Sequence, residues 1–331
     1  MSHPFEKELQ TALQAVRQAA RVCRSVQSSI TTESLAKKDN SPVTVADYAS
    51  QALVCRVLED VFPNDPVIGE EGAAELREAG GAEFLNRVVN ECAAVGVSAT
   101  PVQFCDWIDR GSASAFSDRF WTLDPIDGTK GFLRKEQYAI SLALIVKGTI
   151  EVGVLGCPNM SNPGSASHGV LAWAVRGYGS WTQPLDEPIA EPVRIAVTKT
   201  TSASEMRFCE SVESGHSSHD WSGLIASELQ ISREPVRMDS QCKYLAVARG
   251  DADLYLRLPT KKGYQEKIWD HAGGVLIVTE AGGKVSDIRG RNATFTHGST
   301  MAMNEGMVVS NGCQHSNVIA AILEHAPPEM S

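Results

Sequence analysis

The sequence predicts an α/β protein of two domains. Three features carry this expectation: a long amphipathic helix near the start, paired apolar runs joined by glycine turns in the middle, and short strands alternating with helices after a proline-rich stretch. At 331 residues the chain is long for one hydrophobic core and has ample material to bury.

Positions 5, 9, 13, 16, 20, 23 and 26 are apolar at steps of three and four, predicting one scaffold helix over 5–26. The polar segment 31–41 before Pro42 reads as an exposed loop. Its Lys37 and Lys38 are solvated charge or part of a lid. A second helix is expected from Thr44 to Phe62, with Thr44 and Asp47 at the spacing of a capping box. Val67-Ile68-Gly69 then reads as a strand running into Glu70 and Glu71, and 83–94 reads as a helix. Nothing chemical is legible in 96–117.

The run 120–123 is aromatic and β-branched, and Asp124-Pro125 is expected to end that strand on a carboxylate, because a residue before proline is pushed out of the α region. Runs 138–146 and 150–155 flank Lys147-Gly148, and 170–175 and 178–181 flank Arg176-Gly177, so two hairpins of an antiparallel sheet are expected. A loop is expected over 159–167. Prolines crowd 183–192, which places a boundary between domains 1–187 and 188–331. Strands are expected at 194–197, 206–209, 236–238 and 253–256, with helices near 221–229 and 241–248. A helix over 269–281 stops at Gly282-Gly283, followed by strands at 284–286 and 307–310 and a last helix over 315–325.

Composition narrows the function. The formal charge of −10 argues against coating a nucleic acid polymer, which requires a dominant basic footprint. A small anionic substrate needs only a local reversal of sign. The closest of the eight cysteines, Cys92 and Cys105, are 13 residues apart, which excludes C-x-x-C spacing and fits reduced thiols without disulfides or zinc. No leader-like or bilayer-spanning run is evident, so a cytoplasmic protein without membrane contact is expected. A monomer is expected.

The chemistry concentrates in Asp124-Pro125-Ile126-Asp127-Gly128-Thr129. Two carboxylates and the Ile126 carbonyl suit a hard divalent cation such as Mg²⁺. Gly128-Thr129 opens a short helix whose N–H groups attract an anion, so a cation site and a phosphate site fall within six residues.

The unbroken W-T-L-D-P-I-D-G-T-K-G-F-L-R from Trp121, with P-V-T-V-A-D ending at Asp47, I-G-E-E at Glu70 and W-D-H-A-G-G at Asp270, resembles the motifs of the lithium-sensitive, magnesium-dependent phosphatases of the inositol monophosphatase superfamily. Within it the stretch looks closest to the 3'(2'),5'-bisphosphate nucleotidases. The resemblance covers nearly the whole chain and implies a layered αβαβα sandwich. It implies two to three Mg²⁺ ions, one served by Asp47, Glu70 and Thr129, which together activate the attacking water, and another on Asp124, Ile126, Asp127 and Asp270. Glu71 would support the metal site without touching the ion. Li⁺ is the expected inhibitor.

By the same resemblance, Gly128, Thr129, His216, Ser240, Lys243, Arg257 and Asp270 would contact a nucleotide. The implied reaction is hydrolysis of adenosine 3',5'-bisphosphate to AMP and phosphate, and also of 3'-phosphoadenylyl sulfate in sulfate assimilation. The alternatives are an inositol phosphate phosphatase and a catalytically silent anion- or metal-binding regulator.

Overall fold

A computed structural model of the chain describes residues 3–31, 41–78, 80–162, 168–212 and 219–328. Helix α1 (Glu6–Ser28) buries Leu9, Leu13, Val16, Ala20, Cys23 and Val26 along one stripe. It packs against α2 (Ser41–Val61), and both cover one face of the first sheet. Helix α2 starts at Ser41, so Thr44 lies inside it and the expected capping box with Asp47 does not form. Asp47 is instead a buried side chain in the helix interior, 6% exposed. The lysines at 37 and 38 lie outside the described residues.

Strand β1 (Val67–Gly69) is followed by α3 (Ala74–Arg77), α4 (Ala82–Ala94) and α5 (Pro101–Asp109). The last of these was missed in the sequence, although it carries a complete capping box of Thr100 and Gln103 with Pro101 in its first turn. Strand β2 (Arg119–Asp127) leads into α6 (Thr129–Leu133). The sheet continues through β3 (Ala139–Val146), β4 (Thr149–Ser161), β5 (His168–Val175), β6 (Ser180–Pro184) and β7 (Val193–Ile195), in sequence order from edge to edge. Within this sheet, among the described residues, β1 and β2 pair in parallel and the other neighbours are antiparallel. Two expectations shift here. Residues 194–195 complete the first sheet instead of opening the second, and β4 extends into the expected loop at 159–161.

The second sheet is built from β8 (Phe208–Glu210), β9 (Val236–Arg237), β10 (Leu254–Arg257), β11 (Lys284–Ser286) and β12 (Met307–Ser310), in the order β11-β12-β10-β8-β9. Its helices are α7 (His219–Glu228), α8 (Cys242–Ala248), α9 (Ala272–Glu280) and α10 (His315–Glu324). Helices α8 and α9 fill the space between the sheets, sharing one core with Leu155 and Ala172 on one side and Tyr255 and Val309 on the other. Helices α7 and α10 cover the outer face through Trp221, Ile225, Val318 and Ile322. The result is the five-layer αβαβα order.

The middle layer sits close to the first sheet because both surfaces lack side chains where they meet. A Cβ on Gly153 of β4 would lie 2.9 Å from the Gly273 carbonyl oxygen of α9. All eight cysteines are free thiols, seven of them buried. No helix among the described residues is long and apolar enough to cross a membrane.

Candidate active site

The parallel pairing of β1 with β2 places Gly69 opposite Leu123, so the next residues, Glu70 just past the end of β1 and Asp124 within β2, lie side by side. Strand β2 does not stop at Asp124 as the sequence suggested. It continues to Asp127, with three residue steps on β2 matching two on β3 between the pairs Asp124↔Ser141 and Asp127↔Ala139. That bulge accommodates Pro125, which has no N–H for the ladder. It also has a chemical effect: in a regular strand residues three apart face opposite sides, and one extra residue turns both carboxylates to the same side. Asp124 and Asp127 accordingly line one cleft.

Helix α2 supports this geometry from behind. Ser50 donates a 2.9 Å hydrogen bond to the Pro125 carbonyl, and Gln51 brackets the backbone of Glu71, accepting from its N–H and donating to its carbonyl. Asp47 lies on the same helical face, one turn earlier. Gly128 then takes the left-handed conformation at φ 93°, and a Cβ there would approach Ser240 Cβ to 2.9 Å. This glycine lets α6 start directly against the second half of the chain. Ser240 itself is left-handed at φ 70°, a conformation uncommon without glycine and stabilised here by an Oγ that accepts from Cys242 N.

Gln241 joins the two halves. Its backbone N–H donates to Asp127 Oδ2 at 2.6 Å, its Nε2 donates to the Trp269 carbonyl, and its Oε1 accepts from Ser141 Oγ and Gly274 N. The turn before α9 thereby brings Asp270 to the acids of the first sheet; α9 begins at Ala272, three residues later than expected, so Asp270 precedes the helix instead of opening it.

The cleft has a volume of about 230 Å³ and is lined by Glu70, Asp124, Ile126, Asp127, Gly128, Thr129, Ser240, Lys243, Arg257 and Asp270 among others. Ten of the thirteen expected site residues are thus together. The side chain of Ile126 is in the core at 1% exposure, so its backbone is the part that reaches the cleft. Asp47 and Glu71 lie behind the lining. His216 lies outside the described residues. Asp239, Gln241 and Glu266, which support or line the site, are not singled out by the sequence; Asp239 and Gln241 act through partners distant in the chain, and the four-residue spacing of Glu266 from Asp270 is the one local signal.

The charges are crowded. Burial, then the neighbouring Glu71 and Glu70, push the Asp47 carboxyl well above the carboxylate range. Burial followed by Glu70, Asp127 and Asp270 does the same to Asp124. Glu70 reaches the open edge, yet desolvation and the charges of Asp270, Glu71 and Asp127 push it up to about 8. Asp270 rises to about 6, chiefly by desolvation, and Glu71 rises for the same reason. Asp47 Oδ1 and Asp124 Oδ1 are buried without any hydrogen-bond partner. Orphaned, acceptor-only oxygens among mutually repelling acids fit hard divalent cations, which supply the missing positive charge.

On the opposite wall Lys243 is 3% exposed, 5.1 Å from the Tyr255 ring centroid, and desolvation lowers its pKa. Arg257 is gripped by Glu266, with Nε to Oε1 at 3.2 Å and Nη2 to Oε2 at 3.1 Å. Burial opposes the Arg257 charge, but Glu266 foremost holds its pKa well above the ordinary value. Glu266, Asp270 and His271 place ligand atoms within 4.8 Å of one another. Glu266 spends its oxygens on Arg257 and His271, however, and His271 Nδ1 meets Tyr244 Oη at 2.7 Å, so Glu266 and His271 are tied into a hydrogen-bond network and Asp270 alone of the three faces the other acids. Burial works against ionisation of Glu266, yet the hydrogen bond with His271 and the Arg257 charge pull it down to about 2.

Comparison with known proteins shows the family and the fold. The chain is 42% identical to a 3'(2'),5'-bisphosphate nucleotidase of Schizosaccharomyces pombe, covering 92% of each chain. It is 41% identical to one of Emericella nidulans, covering 96% of this chain and 98% of the other. A probable 3'(2'),5'-bisphosphate nucleotidase of Arabidopsis thaliana is 40% identical, with 99% and 97% covered. Among solved structures, the Thermotoga maritima IMPase superposes with a TM-score of 0.63 at 20% identity, covering 96% of this chain and 98% of that one. The inositol monophosphatase of Anabaena gives 0.61 at 20% identity, covering 98% of both. These two support the fold. The model of the inositol monophosphatase family matches residues 4–327, and the chain belongs to that family.

Proposed function

We propose that the chain is a magnesium-dependent 3'(2'),5'-bisphosphate nucleotidase that hydrolyses adenosine 3',5'-bisphosphate to AMP and phosphate. The observation that carries the reading is the meeting of acids from both halves with the cations Lys243 and Arg257 in one cleft. The acids suit metal-assisted attack on one phosphate, and the cations suit a second phosphate that stays attached. The names of the 40–42% identical relatives point to the same substrate class.

Glu70, Asp124, the Ile126 carbonyl, Asp127 and Asp270 would hold Mg²⁺. When bound, Mg²⁺ supplies Lewis acidity toward the phosphoryl oxygens and lowers the pKa of water. Thr129 and the backbone at Gly128 orient the scissile phosphate at the start of α6. Asp47, behind them, takes the proton of the attacking water through the Thr129 hydroxyl as the ester oxygen leaves on the opposite side. Ser240, Lys243 and Arg257 hold the remaining phosphate, with His216 assigned to the nucleoside by the resemblance alone. Glu71 steadies the strand end that carries Glu70.

The reading extends to 3'-phosphoadenylyl sulfate and a role in sulfate assimilation, to inhibition by Li⁺, and to a monomer in the cytoplasm, for which the free buried thiols are the support. Turnover of adenosine 3',5'-bisphosphate, inositol 1-phosphate and inositol 1,4-bisphosphate, with Mg²⁺, with EDTA and with added Li⁺, tests it. Preference for an inositol phosphate, or activity undiminished in EDTA, would overturn it.

Two variants separate binding from chemistry. Lys243→Met is expected to weaken the bisphosphate by roughly 1.5–3 kcal/mol, the scale of a charge-assisted hydrogen bond, with little change for adenosine 3'-monophosphate. Equal weakening of both substrates would place Lys243 on the scissile phosphate or in the scaffold. Asp47→Asn is expected to lower kcat by roughly 10²–10⁴-fold, the scale of a lost general base, with KM nearly constant. Its thermal midpoint should not fall, because the substitution removes a charge that burial opposes; a loss of stability with kcat retained would make Asp47 structural.

A further inference from the structure

Glu266 does not line the cleft, yet it is 2% exposed and joins Arg257, which does, to His271, the neighbour of Asp270. One edge of the Arg257 guanidinium, Nε and Nη2, is spent on its two oxygens. Its Oε2 also meets His271 Nε2 at 3.2 Å, and the other ring nitrogen is held by the Tyr244 hydroxyl. His271 directly follows Asp270, whose Oδ2 lies 3.9 Å from Arg257 Nη2. The Glu266 backbone is fixed as well, its carbonyl accepting from Met301 N at 2.8 Å. A buried carboxylate thus ties the cationic wall of the cleft to the turn that bears an acid of the opposing set.

The arrangement is costly unless it does something that a packed apolar side chain would not, since buried ion pairs are weak contributors to stability. A planar fork gripped along one edge has no rotational freedom, so its remaining donors point in one direction. We propose that Glu266 is a positioning residue that aims Arg257 at the non-scissile phosphate and thereby sets the enzyme's preference for bisphosphates over monophosphates. This rests on the nucleotidase reading above. In this assignment Arg257 is the group that touches the substrate, and Glu266 acts only through it.

The test is a double-mutant cycle of Glu266→Gln and Arg257→Met, read as KM and kcat on adenosine 3',5'-bisphosphate and adenosine 3'-monophosphate at saturating Mg²⁺. Glu266→Gln is expected to raise KM for the bisphosphate on the order of 10–100-fold, the scale seen for residues that orient a contacting group. KM for the monophosphate should stay the same, and the variant should add little once Arg257 is already Met. Equal losses on both substrates, or a full additive loss in the Arg257→Met background, would overturn the proposal. If Glu266→Gln does not fold, Glu266→Asp decides. It keeps the charge but shortens the reach, and a bisphosphate-selective rise in KM supports the assignment while an unselective one refutes it. A wild type that uses both substrates equally would sink the nucleotidase reading, and the cycle would still show by its additivity whether Glu266 acts through Arg257.

Discussion

Replacing Asp124 by Asn is expected to lower kcat by several kcal/mol of transition-state stabilisation, on the order of a thousandfold, while leaving the fold intact. Asp124 stands where the end of β1, the bulge of β2 and the turn before α9 converge, with one oxygen buried and unpaired. Asn keeps the shape but is a poor ligand for a hard cation. In the metal-free protein the change removes a carboxylate whose ionisation is opposed by burial and by Glu70, Asp127 and Asp270. The unfolding midpoint in EDTA should therefore hold or rise as activity vanishes. Steady-state kinetics and thermal unfolding of the same preparation check this, and a midpoint falling in step with activity would show that Asp124 mainly holds the structure.

The second large effect is on stability as a function of pH. Glu70 and Asp270 have folded pKa values of about 8 and about 6, raised from ordinary values of 4.5 and 3.8. In this interval the folded protein holds protons that the unfolded chain has released, so metal-free stability must fall as pH rises, from about pH 4 until it levels above about pH 8. Mg²⁺ should reverse the loss. At a free concentration one hundred times Kd a single site contributes about 2.7 kcal/mol, or roughly 4 °C in a chain of this size. Thermal scans with EDTA and with Mg²⁺ across that pH range provide the measurement. A metal-free midpoint that is flat or rising above pH 5 would contradict the crowding of these acids.

The sequence made the site legible where chemistry is local. Glu70, Asp124 and Asp127 follow apolar runs whose strand character is plain, and the glycines of α9 marked a close approach. It misled where a local rule competed with the tertiary structure. Proline after Asp124 suggested a strand end, but the neighbouring β3 accepts a bulge there and continues the ladder. Thr44 and Asp47 matched a capping box, but α2 begins earlier, at Ser41. The prolines at 184, 188 and 192 suggested that 194–197 belonged to the second half, yet the chain crosses them and returns to β6. Thr100-Pro101 with Gln103 is a readable helix start, followed by Phe104, Trp107 and Ile108, but it is flanked by small residues at 93–99 and 111–115 that mask it. Gln241 had no signature, since its bonds to Asp127 and Ser141 join residues that only the packing of the two sheets brings together, and along Tyr244, His271, Glu266 and Arg257 the one local signal was the four-residue spacing of Glu266 from Asp270.

The bridging of both halves by Gln241 and Asp270 also bears on the order of events during synthesis and folding. Asp270 leaves the ribosome on the order of 7–30 s after Asp127, at about 5–20 residues per second. During that interval the acids at the ends of β1 and β2 face water and repel one another only weakly. Their repulsion becomes severe when the second sheet closes over them, so closure is the step at which a divalent cation has the most to offer. Where contacts form only after the folding barrier, stabilising them slows unfolding without hastening collapse. Mg²⁺ is thus expected to lengthen the lifetime of the finished protein, measured as a lower unfolding rate, and to leave the early refolding phases where they were.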